Sequence, residues 1–370
     1  MRRVLVTGGM GFIGRRVVAE LVKRGATVRV LDNFNPQVHG AEAAGEHGDA
    51  FELVEGDIRD EDVVRKALDG IDSVIHLAAE VGVGQSMYEI DRYTAVNEYG
   101  TAVLLQQMIH RPIRRIVVAS SMSVYGEGLY RDPQNKAVED ARRAPPNGGG
   151  QAEWEPVSPS GLPLTPVPTP EWKRPALSSV YALNKFAQEQ MTLIVPPSYG
   201  IETVALRLFN VFGPGQALSN PYTGVLAIFA ARLLNGRPPM IFEDGQQQRD
   251  FVHVEDVARA FADALEAPDA SGEIINIGSG QPIRIAELAR RFAGVMEKPD
   301  LQPDITGKVR AGDIRHCFAD ISKARDLLGF VPRQNLDDGL IALAEWVCTQ
   351  QADDRVDAAS AELEQRGLVS

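Results

Sequence analysis

Arg3-Val-Leu-Val-Thr-Gly-Gly-Met-Gly-Phe-Ile-Gly14 decides how this chain folds. Residues 4–6 are a short apolar run, as in a buried strand. Gly8, Gly11 and Gly14 follow at a spacing of three. Val17, Val18, Leu21 and Val22 then recur with helical period up to Gly25, where a helix stops. Strand, glycine-rich turn and helix together are the context that gives such glycines a meaning. They let backbone approach a pyrophosphate, and the helix start offers it N–H groups and positive potential. A second strand, 27–31, ends in Asp32. A carboxylate some ~20 residues past the glycines bonds a ribose 2′-hydroxyl and repels a 2′-phosphate. The cofactor reading is therefore NAD rather than NADP. The alternatives are a tight turn in an unrelated α/β unit and an ordinary loop aspartate.

Working outward, the alternation continues. Residues 51–57, 73–79, 115–121 and 202–208 read as strands. Residues 62–68, 93–108 and 181–193 read as helices. This rhythm predicts an α/β fold, a doubly wound parallel sheet of the Rossmann type. Apolar faces over 285–292 and 321–328 predict a smaller α-rich substrate-binding domain. The domain boundaries expected are 1–213 plus 240–280 for the NAD-binding domain and 214–239 plus 281–350 for the substrate-binding domain, with a tail over 351–370.

The chain has 370 residues and a net charge of −12, so nucleic acid and anionic membrane surfaces are disfavoured as partners. An anionic substrate then needs a local cluster of arginines. Cys317 and Cys348 suggest neither a metal site nor a disulfide framework. No apolar run is long enough to span a membrane. A cytoplasmic enzyme without a metal is the expectation.

Tyr181 and Lys185 stand four residues apart, on one face of a helix. A phenol has a pKa near ~10, which a neighbouring cation lowers, so the pair is suited to proton transfer near neutrality. A solvated helix face is the bland reading. His76 and His253 sit in apolar, strand-like runs and read as packed histidines.

Several motifs recur in order: Thr7-Gly-Gly-Met-Gly-Phe-Ile-Gly14, His76-Leu-Ala-Ala79, Ser120-Ser-Met-Ser-Val-Tyr-Gly126, Tyr181 with Lys185, Leu206-Arg-Leu-Phe-Asn-Val-Phe-Gly-Pro214, Arg249-Asp-Phe-Val-His-Val254, Asn276-Ile-Gly278 and Arg310-Ala-Gly-Asp313. Through them nearly the whole chain resembles the extended short-chain dehydrogenase/reductases of the nucleotide-sugar epimerase and dehydratase family. The resemblance implies roles. Tyr181 is the acid/base on a sugar hydroxyl, Ser121 relays its proton, and Lys185 holds the nicotinamide ribose. Gly8, Gly11, Phe12, Ile13, Gly14, Asp32, Asn33, Asp57, Ile58, Leu77, Ala78 and Ala79 surround NAD, with Asp57 and Ile58 at the adenine. Asn97 supports the active-site helix. Ser121, Ser123, Asn210, Val225, Arg249, Arg310 and Asp313 face the substrate, the arginines and Asn210 at its diphosphate. The bland readings pair Arg249 with Asp250 and put Asn97 on the surface.

Where dehydratases of the family carry Asp-Glu, this chain has Met122-Ser123. Related decarboxylases use a Glu at the place of Ser123. Both activities are disfavoured, leaving an NAD-dependent 4-epimerase of a dTDP- or UDP-linked sugar, with a dTDP-6-deoxyhexose suggested by the segments 32–40, 83–88 and 220–225. A keto-sugar reductase, a dehydratase and a non-enzymatic NAD sensor are the alternatives. The family also implies a homodimer through helices near 93–108 and 180–193. The Pro- and Gly-rich insertion 127–176 leaves just after Tyr125-Gly126 and returns just before Tyr181, so it is expected to be a lid. The tail reads as either a surface helix or a frayed end.

Overall fold

The computed structural model describes residues 2–39, 50–143, 154–222 and 224–369. Seven strands form one sheet: β1 (Arg3–Thr7), β2 (Thr27–Asp32), β3 (Glu52–Glu55), β4 (Ser73–His76), β5 (Arg115–Ser121), β6 (Glu202–Leu208) and β7 (Glu273–Ile277). Their order is β7-β6-β5-β4-β1-β2-β3, and every pairing is parallel. All seven residues of β5 are buried, as a parallel sheet covered by helices on both faces requires. The strand order reverses between β1 and β4, the switch point at which such sheets bind ligands. β7 was not anticipated: Glu273-Ile-Ile-Asn-Ile277 is short and lies among turn residues, and it is tertiary pairing with β6 that holds it extended.

The helix expected over 93–108 is broken. Ile90–Thr94 is α-helical, Ala95–Tyr99 is a π-turn, and Gly100–Met108 resumes the α-helix. Gly100 permits this course, because a Cβ there would lie 2.6 Å from the Ile58 side chain.

A second core gathers the helices Val225–Leu234, Ile285–Val295 and Leu336–Val347 around Phe212, Ile241, Phe251 and Ile283. Beside it, Asn210–Phe212, Gln248–His253, Pro282–Arg284 and His316–Cys317 form a small separate sheet. Residues 240–280 are thus divided between the two cores. Met240–Ile241 pairs with Asp304–Ile305 and Gln248–His253 lies in the small sheet, while β7 belongs to the seven-stranded sheet and the helix Val254–Glu266 packs on it, with Val252 and Ala270 in the same core.

Among its described residues the insertion forms three short antiparallel strands, Leu129–Arg131, Ala137–Val138 and Thr165–Val167. Its Pro145–Gly150 run lies outside the described residues. The tail contains a helix, Val356–Gln365, docked through Val356, Ala359 and Leu363.

Candidate active site

A cleft of about 580 Å³ opens at the carboxyl ends of the strands and extends to the second core. The glycine turn begins it. Gly8 has φ +68°, and a Cβ there would lie 2.8 Å from the Ala78 nitrogen. At Gly14 a Cβ would lie 2.2 Å from the Gly8 carbonyl oxygen, so the helix could not pack this closely on the turn. Gly11 meets only that carbonyl, at 3.4 Å, and is otherwise open to a ligand. The helix Phe12–Lys23 has no side-chain cap and no acidic residue in its first turn. Its leading N–H groups are left for an anion, which fits a dinucleotide pyrophosphate.

Asp32 closes this half. Its Oδ2 accepts the Met10 N–H at 2.9 Å, and its Oδ1 accepts the Phe34 N–H at 3.0 Å and lies 3.0 Å from His39 Nε2. Burial pushes its pKa up, but His39 and the two amides outweigh burial and hold it below the usual carboxylate value. Phe12, Ile13, Asn33, Ile58, Leu77, Ala78 and Ala79 line the same half. Asp57 does not. Its carboxylate is taken by Arg59, with both contacts at 2.8 Å, and held down to about 2, while its neighbours Gly56 and Ile58 face the cleft. Asn97 is fully buried rather than on the surface, and it too stands back from the wall. Its Oδ1 accepts the Glu80 N–H at 2.8 Å and its Nδ2 donates to the Glu80 carbonyl at 3.1 Å, fixing the loop after β4.

Tyr181 and Lys185 lie in the first turns of the helix Val180–Ile194, which Ser179 caps by accepting the Ala182 N–H at 3.1 Å. The Tyr181 N–H donates to Ser86 Oγ at 3.0 Å. Its side chain lines the cleft beside Ser121 at the end of β5. Lys185 Nζ donates to the Ala119 carbonyl at 3.0 Å and to Gln188 Oε1 at 2.9 Å.

The expectation that Lys185 lowers the phenol's pKa is corrected here. Burial pushes Tyr181 up to about 12, with Ser121 pulling only partly against it, and burial pushes Lys185 down to about 7. The ammonium is committed to a carbonyl and an amide instead of the hydroxyl, so the penalty of burying a phenolate governs.

Sequence reading missed Gln188 and Thr101. Gln188 bonds Lys185, donates to Thr101 Oγ1 at 2.8 Å and approaches His76 Nε2 at 3.3 Å. Gln188 sits three residues past Lys185, so its share of that helix face was a readable signal. His76 also meets Thr7 Oγ1 at 2.7 Å, and burial with the Lys185 charge pushes it down to about 3, so it is a neutral, packed histidine. His253 is packed as well. It caps the helix Val254–Glu266 and sets its ring edge-on to Phe212, centroids 5.5 Å apart.

In the other half, Ser123 Oγ is buried beside the cleft without a hydrogen-bond partner among the described residues. Asn210 Nδ2 donates to the Asp250 carbonyl at 3.0 Å, and Val225 starts a helix at the wall. Arg249 is not paired with Asp250, whose carboxylate accepts the N–H groups of Ser279, Gly280 and Ala319. Its guanidinium donates to the carbonyls of Gln248 at 2.9 Å, Arg315 at 3.0 Å and Ile314, and no carboxylate pairs with it among the described residues. Arg310 differs, being clamped by both oxygens of Asp313 at 2.7 and 3.2 Å.

Comparison with known proteins agrees with this geometry. The model of the NAD dependent epimerase/dehydratase family matches residues 4–148 and 163–278. The dTDP-L-rhamnose 4-epimerase of Burkholderia thailandensis is 34% identical over 356 residues, 94% of this chain and 96% of that protein. A putative UDP-glucose 4-epimerase of Methanocaldococcus jannaschii is 32% identical over 353 residues, covering 93% of this chain and 98% of its own. Among solved structures, the UDP-glucuronic acid 4-epimerase of Bacillus cereus, in complex with UDP-glucuronic acid and NAD, superposes with a TM-score of 0.74 at 28% identity, covering 94% of this chain and 99% of that one. The UDP-glucose 4-epimerase of Thermotoga maritima gives 0.75 at 29% identity, with 93% and 98% covered. A glycine cradle at the switch point, a Ser–Tyr–Lys centre and matches over more than nine-tenths of the chain make this protein a member of the NAD dependent epimerase/dehydratase family.

Proposed function

We propose that the protein is an NAD-dependent 4-epimerase of a nucleotide diphosphate sugar. The observation that carries this is the gathering of Ser121, Tyr181 and Lys185 on one wall of the cleft, with Met122 and Ser123 beside them in place of a second acid/base pair. The glycine turn, Asp32 and Lys185 would hold NAD, which would supply the acceptor and donor for a hydride at the sugar C4. Tyr181 takes the C4 hydroxyl proton and gives it back, and Ser121 orients that hydroxyl. At rest the phenol is protonated, since burial sets its pKa near 12. It becomes a base when the Lys185 charge is turned toward it. Arg249, without a carboxylate partner, binds the diphosphate by charge-assisted bonds. Arg310 joins it by exchanging Asp313 for phosphate oxygens, and Asn210 and the helix start at Val225 complete the anchor. Ser123, with its unpartnered hydroxyl, bonds a sugar oxygen. The anchor holds while the ketone turns over.

The relative that acts on dTDP-L-rhamnose supports a dTDP-6-deoxyhexose as substrate. Incubation with a panel of dTDP- and UDP-sugars, read by mass spectrometry and NMR, tests this. C4 epimers without net NADH change are expected. Steady NADH consumption identifies a reductase instead, and loss of water a dehydratase. Tyr181→Phe should lower turnover by ~10²–10⁴ while keeping NAD and substrate affinity, and a near-normal rate contradicts the assignment.

The two cores support separate NAD-binding and substrate-binding domains, with Gln248–His253 between them. Exposed Ile90, Tyr99, Leu183 and Ile194 on the two long helices support a homodimer. Leu183→Glu should then yield monomers in sedimentation, and an unchanged sedimentation coefficient contradicts that. No helix among the described residues is long and apolar enough to cross a membrane, consistent with a cytoplasmic enzyme.

A further inference from the structure

We propose that the C-terminal helix Val356–Gln365 forms the closing wall of the sugar end of the cleft and selects the substituent at the sugar C6, favouring a methyl group. The proposal rests on the 4-epimerase reading.

Val356, Ala359, Ser360 and Leu363 line the cleft. Their spacing of i, i+3, i+4 and i+7 puts them on one helical stripe. The stripe meets the catalytic side of the cleft. Leu363 carbons lie 3.4 and 3.5 Å from where a Cβ on Gly84 would be. Gly84 belongs to the short helix Val83–Ser86, whose Ser86 Oγ holds the Tyr181 N–H. One short element thus separates the tail from the acid/base. Val81 and Val83 also line the cleft, so the wall is apolar apart from the Ser360 hydroxyl.

The charges of the helix are engaged off that stripe. Glu362 accepts from the hydroxyls of Tyr222 at 3.1 Å and Tyr88 at 3.3 Å. Arg366 bonds Glu362 and stacks over the Tyr88 ring at 4.1 Å. A C6 methyl gains apolar contact against such a wall. A C6 hydroxyl or carboxylate loses water there and receives no charged partner from the helix.

The tail is also fastened to the proposed diphosphate anchor. Arg310 pairs with Val369 through backbone, and the Ala311 N–H donates to the Leu368 carbonyl at 2.8 Å. Arg310 therefore faces the ligand with its side chain and holds the tail with its main chain. Asp354 meets Arg232 at 3.7 Å with both side chains buried, whereas Lys308–Glu364, Arg237–Asp357 and Arg232–Asp357, on the helix itself, each have at least one exposed partner. Such pairs are weak enough to part when substrate enters.

Hydrogen exchange and kinetics on the full chain with NAD test this. The probes are dTDP, dTDP-glucose and dTDP-6-deoxyglucose, the two sugars differing only at C6. The 6-deoxy sugar should slow exchange over 356–365 by about tenfold beyond dTDP alone. Wild type should prefer it in kcat/KM by about tenfold, within the range one apolar contact supplies. Leu363→Ser should bring that ratio near one while inhibition by dTDP stays within twofold. Removal of residues 353–370 should also bring that ratio near one. If wild type converts neither sugar at C4, the epimerase reading fails, and the exchange measurement still decides the wall. Equal exchange with dTDP and the 6-deoxy sugar, or an unchanged ratio in Leu363→Ser, overturns the proposal.

Discussion

The 127–176 insertion places none of its described residues on the wall of the cleft, whereas the C-terminal segment places Val356, Ala359, Ser360 and Leu363 there. The lid expected of the insertion rested on its two ends lying beside the chemistry. Some of its described residues instead border a neighbouring pocket that shares Gly312, Asp313 and Ile314 with the cleft. Glu155 meets Arg315 at 2.5 and 3.0 Å, Arg143 meets Glu243 and donates to the Asp313 carbonyl at 3.1 Å, and Glu127 accepts the N–H groups of Arg315 and His316. Arg315, almost wholly buried, also binds Glu243 and Asp244, and its own carbonyl accepts from Arg249. The insertion thus braces the strand that aims a proposed diphosphate ligand. Where a segment is pinned says little about its role. Buried charges tie a segment down, and a narrow apolar stripe lets it cover.

The largest effect that sharpens this contrast is excision of residues 131–172. A lid can be removed without unfolding the protein, but a brace cannot. Thr169 and Glu171 are built into the end of β7, accepting from Asn276 Nδ2 at 2.9 Å and from the Asn276 N–H at 2.8 Å. The excised chain should lose cooperative thermal unfolding by circular dichroism, and a sharp melt restores the lid reading. Next is Arg315→Met, which leaves buried Glu243 short of a partner. Removing one member of a buried pair costs about 3–5 kcal/mol, so the denaturation midpoint should fall. KM for the nucleotide sugar should rise through Arg249, with the preference at C6 unmoved. A changed C6 preference in this variant would erase the division of labour.

Lys185 supplies a smaller effect that neither region touches. Its pKa is pushed from 10.5 down to about 7 by burial, so the folded protein binds fewer protons than the unfolded one between those values. Below about 7 the lysine is charged in both states and the burial penalty is felt in full. The penalty fades as pH rises toward 10.5. Lys185→Met should therefore improve Tm relative to wild type more at pH 6 than at pH 10, in full-length and tail-truncated protein alike. A Tm difference independent of pH contradicts the burial argument. The smallest effect belongs to Asp32→Ala, which should narrow the preference for NAD over NADP without altering either region's behaviour. Equal affinity of the unaltered protein for both cofactors would remove its basis.

The Rossmann half was legible because its signals are local. Glycine spacing, apolar runs and the Tyr181–Lys185 period each fit within one or two elements, and strands 115–121 and 202–208 have the bounds the sequence suggested. Positions in the cleft followed residue by residue, except Asp57, which a neighbouring Arg59 turns aside, and Asn97, which acts through Glu80. What stayed hidden depends on distant partners. β7 needs β6, the Arg315 cluster needs Glu155 far along the chain, and the tail's narrow apolar stripe has no meaning until Gly84 stands opposite Leu363. The phenol's raised pKa was hidden too, since sequence gives the spacing of Lys185 but not the direction in which its ammonium points.

Epimerisation at C4 by the site's own acid/base can be followed with a dTDP-6-deoxyhexose carrying deuterium at C4, converted in ordinary water with catalytic NAD and analysed by NMR and mass spectrometry. The predicted result is a C4 epimer that keeps its deuterium at C4, formed by wild type and not by Tyr181→Phe. Loss of the label to solvent, or a product altered at another carbon, would contradict it.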